Sequence, residues 1–131
     1  MHVNYGAIVI AALVQWVLGL VWYLVIFRKS WRKLVGIPDG EKPKNWVFAM
    51  GSGLVACLLL SFIMGHLLAM TGAKTYQDGF TLGVACWLGF IAPPLFAEHV
   101  LEGRRANLFV INAAYWMMAM AIGSALLAVI R

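Results

Sequence analysis

The sequence predicts an all-α integral membrane protein, a four-helix bundle built from antiparallel hairpins and assembled as a homo-oligomer. Three observations carry that reading. Of the 131 residues, 63% are hydrophobic and only 11% charged, with a mean hydropathy of +0.87. A soluble domain of this length keeps too much of its surface in water to hide so many apolar side chains. The apolar residues also fall into four stretches, 3–27, 46–71, 76–101 and 106–130, each able to supply the about 20 residues of a spanning helix. Finally, the basic residues are one-sided. Arg28, Lys29, Arg32, Lys33, Lys42 and Lys44 lie between spans one and two, and Arg104 and Arg105 between spans three and four, against Lys74 and Arg131 on the other side. By the positive-inside rule the first and third loops face the cytoplasm and both termini the periplasm or exterior, which suits a bacterial inner membrane. One transmembrane domain accounts for the whole 131-residue chain.

Span one lacks the basic start, short apolar run and small-residue cleavage site of a signal peptide, and is read as a permanent helix. Asn4, Ala11, Gln15, Gly19 and Trp22 share one of its faces. Gln15 sits near mid-span, where it either bonds to a neighbouring helix or lines a polar pathway. In the segment 28–37 and just before it, Phe27, Trp31, Leu34 and Val35 recur at helical spacing opposite Arg28, Lys29, Arg32 and Lys33. Such a segment lies in the headgroup region with its apolar side down. Together with Arg104 and Arg105 its cations suit anionic phospholipids, the expected partners beside the bilayer itself. Pro38-Asp39-Gly40 reads as a turn.

Span two carries Ala49, Gly53, Cys57, Ser61 and Gly65 at successive fourth positions. Small residues that allow close backbone approach mark a packing face in lipid, against a helix of the same chain or of another copy. Cys57 and Cys86 both lie within spans and read as small apolar packing residues. Before span three, Thr75 and Asp78 have the spacing of a capping box. Pro93 and Pro94 then remove the backbone bonds to the carbonyls of Gly89 and Phe90. The result is either a kink repaired by neighbours or a discontinuous helix whose carbonyls face a cavity. Glu98 and His99 follow within about a turn, as a protonatable pair. Gly103 reads as the left-handed cap that ends this span and turns the chain into span four. There Asn112 poses the same alternative as Gln15, and Tyr115, Ala119 and Gly123 share a face.

The basic pI of about 9.6 reflects the collar of loop cations and does not indicate nucleic-acid binding, for which there is no soluble module. No cofactor or metal is expected: His66 and His99 fall toward opposite membrane faces, and the seven methionines scatter around their helices as packing residues. No nucleophile–base set or phosphate loop points to an enzyme.

The stretches GLVWY (Gly19 to Tyr23), FRKSW (Phe27 to Trp31), WLGF (Trp87 to Phe90), EGR (Glu102 to Arg104) and INAAY (Ile111 to Tyr115) resemble, in order, the small bacterial membrane proteins of the Domain of Unknown Function 1761 family. The resemblance covers almost the whole chain. It implies a four-span membrane protein and brings no activity, substrate or catalytic residue with it.

Two functions remain open on the residues alone. One is a homo-oligomeric channel or transporter for a small solute or ion, routed past Gln15, Asn112, Glu98, His99 and the Pro93-Pro94 step. The other is a non-catalytic scaffold or accessory subunit that binds anionic lipid and partner helices.

Overall fold

The computed structural model describes residues 3–37 and 45–130; the expected Pro38-Asp39-Gly40 turn, Lys42, Lys44 and Arg131 lie outside them. Among the described residues all regular structure is helical. Helix α1 (Tyr5–Val21) runs on through a π-helical turn at Trp22–Ile26 into a short amphipathic helix α2 (Arg28–Val35). Helix α3 (Trp46–Thr71) is span two. Helix α4 (Tyr76–Cys86), a second π-helical turn at Trp87–Ile91 and α5 (Ala92–Leu101) together form span three, and α6 (Ala106–Val129) is span four. The four segments Tyr5–Ile26, Trp46–Thr71, Tyr76–Leu101 and Ala106–Val129 are long and apolar enough to cross a membrane, and the chain is an integral membrane protein.

The ends follow from local chemistry. Asn4 caps α1, its side-chain oxygen accepting from the Ala7 N–H at 3.2 Å, so the helix begins two residues into the apolar stretch. Thr75 caps α4 by accepting from the Asp78 N–H at 3.1 Å. Gly36 ends α2 in the left-handed region, at φ 79°. At the α5–α6 turn Gly103 has φ 67°, and the Arg104 N–H closes back onto the His99 carbonyl at 2.9 Å. Arg104 then pairs with Glu102 at 2.7 Å, and the whole hairpin turn takes four residues, 102–105.

Pro93 and Pro94 do not break span three. In the wide turn before them the Ala92 N–H reaches back five residues to the Trp87 carbonyl, and the prolines enter the first turn of α5, where a missing N–H removes least. Gly89, Phe90, Pro93 and Pro94 are all exposed on the outside of the bundle.

Helix α6 is the axis of the fold: α1, α3, α4 and α5 all pack on it, and it holds the largest share of buried residues of the four spans. The tightest pairing is with α4. A Cβ at Gly79 would land on the Ser124 carbonyl and, at 2.8 Å, on the Ala128 methyl. One at Gly83 would land on the Met120 carbonyl and 2.8 Å from Ser124 Oγ. Gly79 and Gly83 thus form a four-residue small-residue step that lets two backbones touch. Four of the five residues of the stripe on α3 are used within the chain, while Ala49 is exposed. Gly53 lies under Trp16, Gly65 under Ile8, Cys57 Sγ is 3.8 Å from the Tyr115 hydroxyl, and Ser61 bonds to Gln15.

Because the obstacle at Gly83 includes a helix backbone that cannot move aside, Gly83→Ala is expected to destabilise the folded protein by about 1–3 kcal/mol. Gly51→Ala, with open space around the new methyl, is expected to be neutral or slightly stabilising. Thermal denaturation of both variants in the same detergent checks this.

Candidate functional site

Two buried polar clusters and one aromatic cavity occupy the half of the bundle between mid-span and the basic loops. The first cluster centres on Gln15, which is 1% exposed. Its Nε2 donates to the Ala119 carbonyl at 3.0 Å, and its Oε1 accepts from Ser61 Oγ at 2.9 Å. The Tyr115 hydroxyl donates to the Gln15 backbone carbonyl at 2.9 Å. The amide lies directly on Gly123, where any Cβ would collide with it. One side chain therefore ties α1, α3 and α6 together, and every polar atom of its amide has a use.

The second cluster lies nearer the basic end. His99 is 2% exposed, and its Nδ1 is 2.8 Å from the Leu95 carbonyl. A carbonyl has no proton to give, so Nδ1 carries the hydrogen and Nε2 is the acceptor. Asn112 Nδ2 donates to that Nε2 at 3.1 Å. The Asn112 oxygen then accepts from the Tyr23 hydroxyl at 2.8 Å. The placement of the Asn112 amide sets these directions, giving a chain Tyr23–Asn112–His99 that runs from the end of span one through α6 to α5.

Two indoles frame this chain. Trp22 Nε1 donates to the Ile111 carbonyl at 3.1 Å, and Trp87 Nε1 donates to the Ala113 carbonyl at 2.9 Å. Each tryptophan opens a π-helical turn, at Trp22–Ile26 and Trp87–Ile91. Carbonyls two residues apart point about 200° apart around a helix, so α6 is gripped from opposite sides at one level.

The Tyr23 and Tyr115 rings, 5.5 Å apart, line a cavity of about 450 Å³ between α1, α2, α3 and α6. Six aromatic residues stand in its walls, Trp16, Tyr23, Trp31, Trp46, Tyr115 and Trp116, with Gly19 and Gly53 leaving room between them. Both tyrosine hydroxyls and the Trp16 indole, which donates to the Met50 carbonyl, are committed to the protein. Among the described residues the indole N–H groups of Trp31, Trp46 and Trp116 have no acceptor. Among the described residues no acidic side chain lines the cavity.

A family model described as a protein of unknown function (DUF1761) matches residues 6–128. The chain belongs to the DUF1761 family. No curated protein and no solved structure matches it. In this DUF1761 protein the stretches that carried the sequence resemblance supply the site. GLVWY provides Gly19, Trp22 and Tyr23, FRKSW provides Trp31, WLGF provides Trp87, and INAAY provides Asn112 and Tyr115. EGR makes the tight turn that sets α5 against α6.

Of the residues singled out on sequence, Asn112 and His99 come together, and Gln15 forms a separate cluster. Glu98 is exposed while His99 is buried, because neighbours on a helix point about 100° apart; the two do not form a pair. Pro93 and Pro94 do not border the aromatic cavity. Sequence reading missed Tyr23 as the partner of Asn112, the Gly79–Gly83 step and the aromatic cavity. The small-residue spacing of Gly79 and Gly83 was a usable signal; the cavity had none, since its rings come from four helices.

Asn112→Leu leaves the Tyr23 hydroxyl and His99 Nε2 unpaired in the interior and is expected to destabilise the protein by about 1–3 kcal/mol. Adding Tyr23→Phe removes one orphan, so the double variant is expected to recover part of that loss. Denaturation midpoints of wild type, both single variants and the double variant measure the coupling.

Proposed function

We propose that this DUF1761 protein is a membrane-embedded binding protein, a non-catalytic scaffold or accessory subunit that holds a small amphiphile in its aromatic cavity. The single observation that carries this is the cavity of about 450 Å³. That volume and an apolar wall with a few polar groups are what a small-molecule site requires. The chemistry of the lining narrows the occupant. Six rings favour a flat or chain-like apolar body, and three unused indole donors favour a carbonyl, ester or ether oxygen on it. With no acidic wall among the described residues, and with Arg28, Lys29, Arg32 and Lys33 on the adjoining helix, an anionic or neutral head is favoured over a cation.

The alternative of a solute or ion route through one protomer draws less support. Gln15 and Asn112, the polar groups such a route would need, have their amides satisfied by other protein groups, and Glu98 faces away from both. A conduit between several copies would have to use other side chains.

Gly53→Leu is the direct test. A Cβ at Gly53 meets only the Trp16 ring at 3.7 Å, an ordinary contact, so the added side chain is expected to occupy the cavity without disturbing the fold. Purified wild-type protein is expected to retain an amphiphile, identified by mass spectrometry of its organic extract, and Gly53→Leu to lose it. Identical extracts containing only bulk lipid would sink the proposal. Solute flux in proteoliposomes that is abolished by Gln15→Leu would favour the conduit instead.

A further inference from the structure

On the other side of α2 from the aromatic cavity lies a second one of about 410 Å³, lined by Phe27, Ser30, Lys33, Leu34, Arg105, Asn107, Val110 and Ile111. We infer that this cavity is a site for the phosphate headgroup of an anionic membrane phospholipid. It is distinct from the amphiphile site proposed above and does not depend on it.

Lys33 comes from α2 and Arg105 from the position just before α6, so two cations from separate parts of the chain line one cavity. Among the described residues neither has a carboxylate within ion-pair distance; Glu102, the acid nearest Arg105 in sequence, is paired with Arg104. Two like charges around one cavity repel, and an anion between them converts that repulsion into attraction from both sides. Ser30 and Asn107 add uncharged hydrogen-bonding groups to the same lining. Asn107 lies in the first turn of α6, whose opening N–H groups have no side-chain cap, which adds a favourable end of the helix dipole.

The rest of the lining decides between a free phosphate and a lipid. Phe27, Leu34, Val110 and Ile111 form an apolar half. An inorganic ion has no use for such a wall, whereas a phospholipid presents a phosphate and, joined to it, a glycerol and acyl chains. The cavity lies where span one ends and span four begins, the level at which a headgroup meets its own hydrocarbon. Collar cations in general attract anionic lipid without geometry; this pair, together with its apolar floor, selects a position.

Detergent-solubilised full-length protein titrated with phosphatidylglycerol, and separately with phosphatidylcholine, under native mass spectrometry tests the site. Phosphatidylglycerol is expected to bind in preference. Lys33→Gln combined with Arg105→Gln is expected to weaken that binding about tenfold, the scale of losing two charge-assisted contacts at an exposed site. Lys29→Gln combined with Arg104→Gln removes as much charge from the same end and is expected to change binding less than about twofold. Val110→Trp keeps both cations and fills the apolar half, and is expected to weaken the lipid as well. The proposal fails if the two double variants lose affinity equally, since the collar then acts as a diffuse charge. It fails also if phosphatidylcholine binds as well as phosphatidylglycerol. Displacement by millimolar inorganic phosphate, with no effect of Val110→Trp, would replace the lipid with a free anion. Unchanged helical circular dichroism of each variant keeps these outcomes separate from misfolding.

Discussion

A polar side chain inside a bilayer has no water to fall back on, and in this protein that constraint converges on Gln15. Its amide must find a donor and an acceptor from protein, and the meeting of three helices provides both. Ser61 on α3 donates, the Ala119 carbonyl on α6 accepts, and Gly123 leaves the space in which the amide lies. A single interhelical hydrogen bond in a membrane contributes only about 0.6 kcal/mol on average. What the junction supplies beyond that energy is register. Sliding α1 by one turn against α6 would bury the amide against a side chain instead of Gly123 and strand it without partners.

The rest of the bundle is arranged around α6 as a column of acceptors. Its carbonyls at Ile111, Ala113 and Ala119 each take a bond from a side chain of another helix, using the second lone pair that a helical carbonyl retains. The donors at Ile111 and Ala113 are tryptophans that each open a widened turn. In span three that turn also carries the chain into Pro93 and Pro94 without a break. One backbone device thus accommodates two prolines and helps to hold the central helix, and the prolines end up exposed on the outside of the bundle.

Helix α2 divides the basic end into two environments. Trp31 and Val35 line the aromatic cavity, while Ser30, Lys33 and Leu34 line the basic one. Tyr23 adjoins both the first cavity and the Asn112–His99 chain, and its ring stands 5.5 Å from that of Trp31. A short amphipathic helix, held by a ring contact at its middle and by Gly36 at its end, therefore separates an apolar wall from a charged one. Both proposed ligands follow from that separation.

Composition and spacing alone determined the membrane class, the four spans, the capping of α4 by Thr75 and the tight turn at Gly103, because these depend on apolar length and on local backbone chemistry. They also marked Gln15 and the faces of α1, α3 and α6 as packing surfaces, since a polar or small residue in lipid needs a reason. They could not pair those faces. Which carbonyl Gln15 reaches, that Asn112 joins His99 to Tyr23, and that Glu98 turns away from His99 depend on the relative rotation of whole helices. Lipid supplies no hydrophobic drive that would set this rotation from one helix's pattern. The aromatic cavity is decided at the same level: its six rings are ordinary membrane residues one by one, and only the helix arrangement leaves space between them.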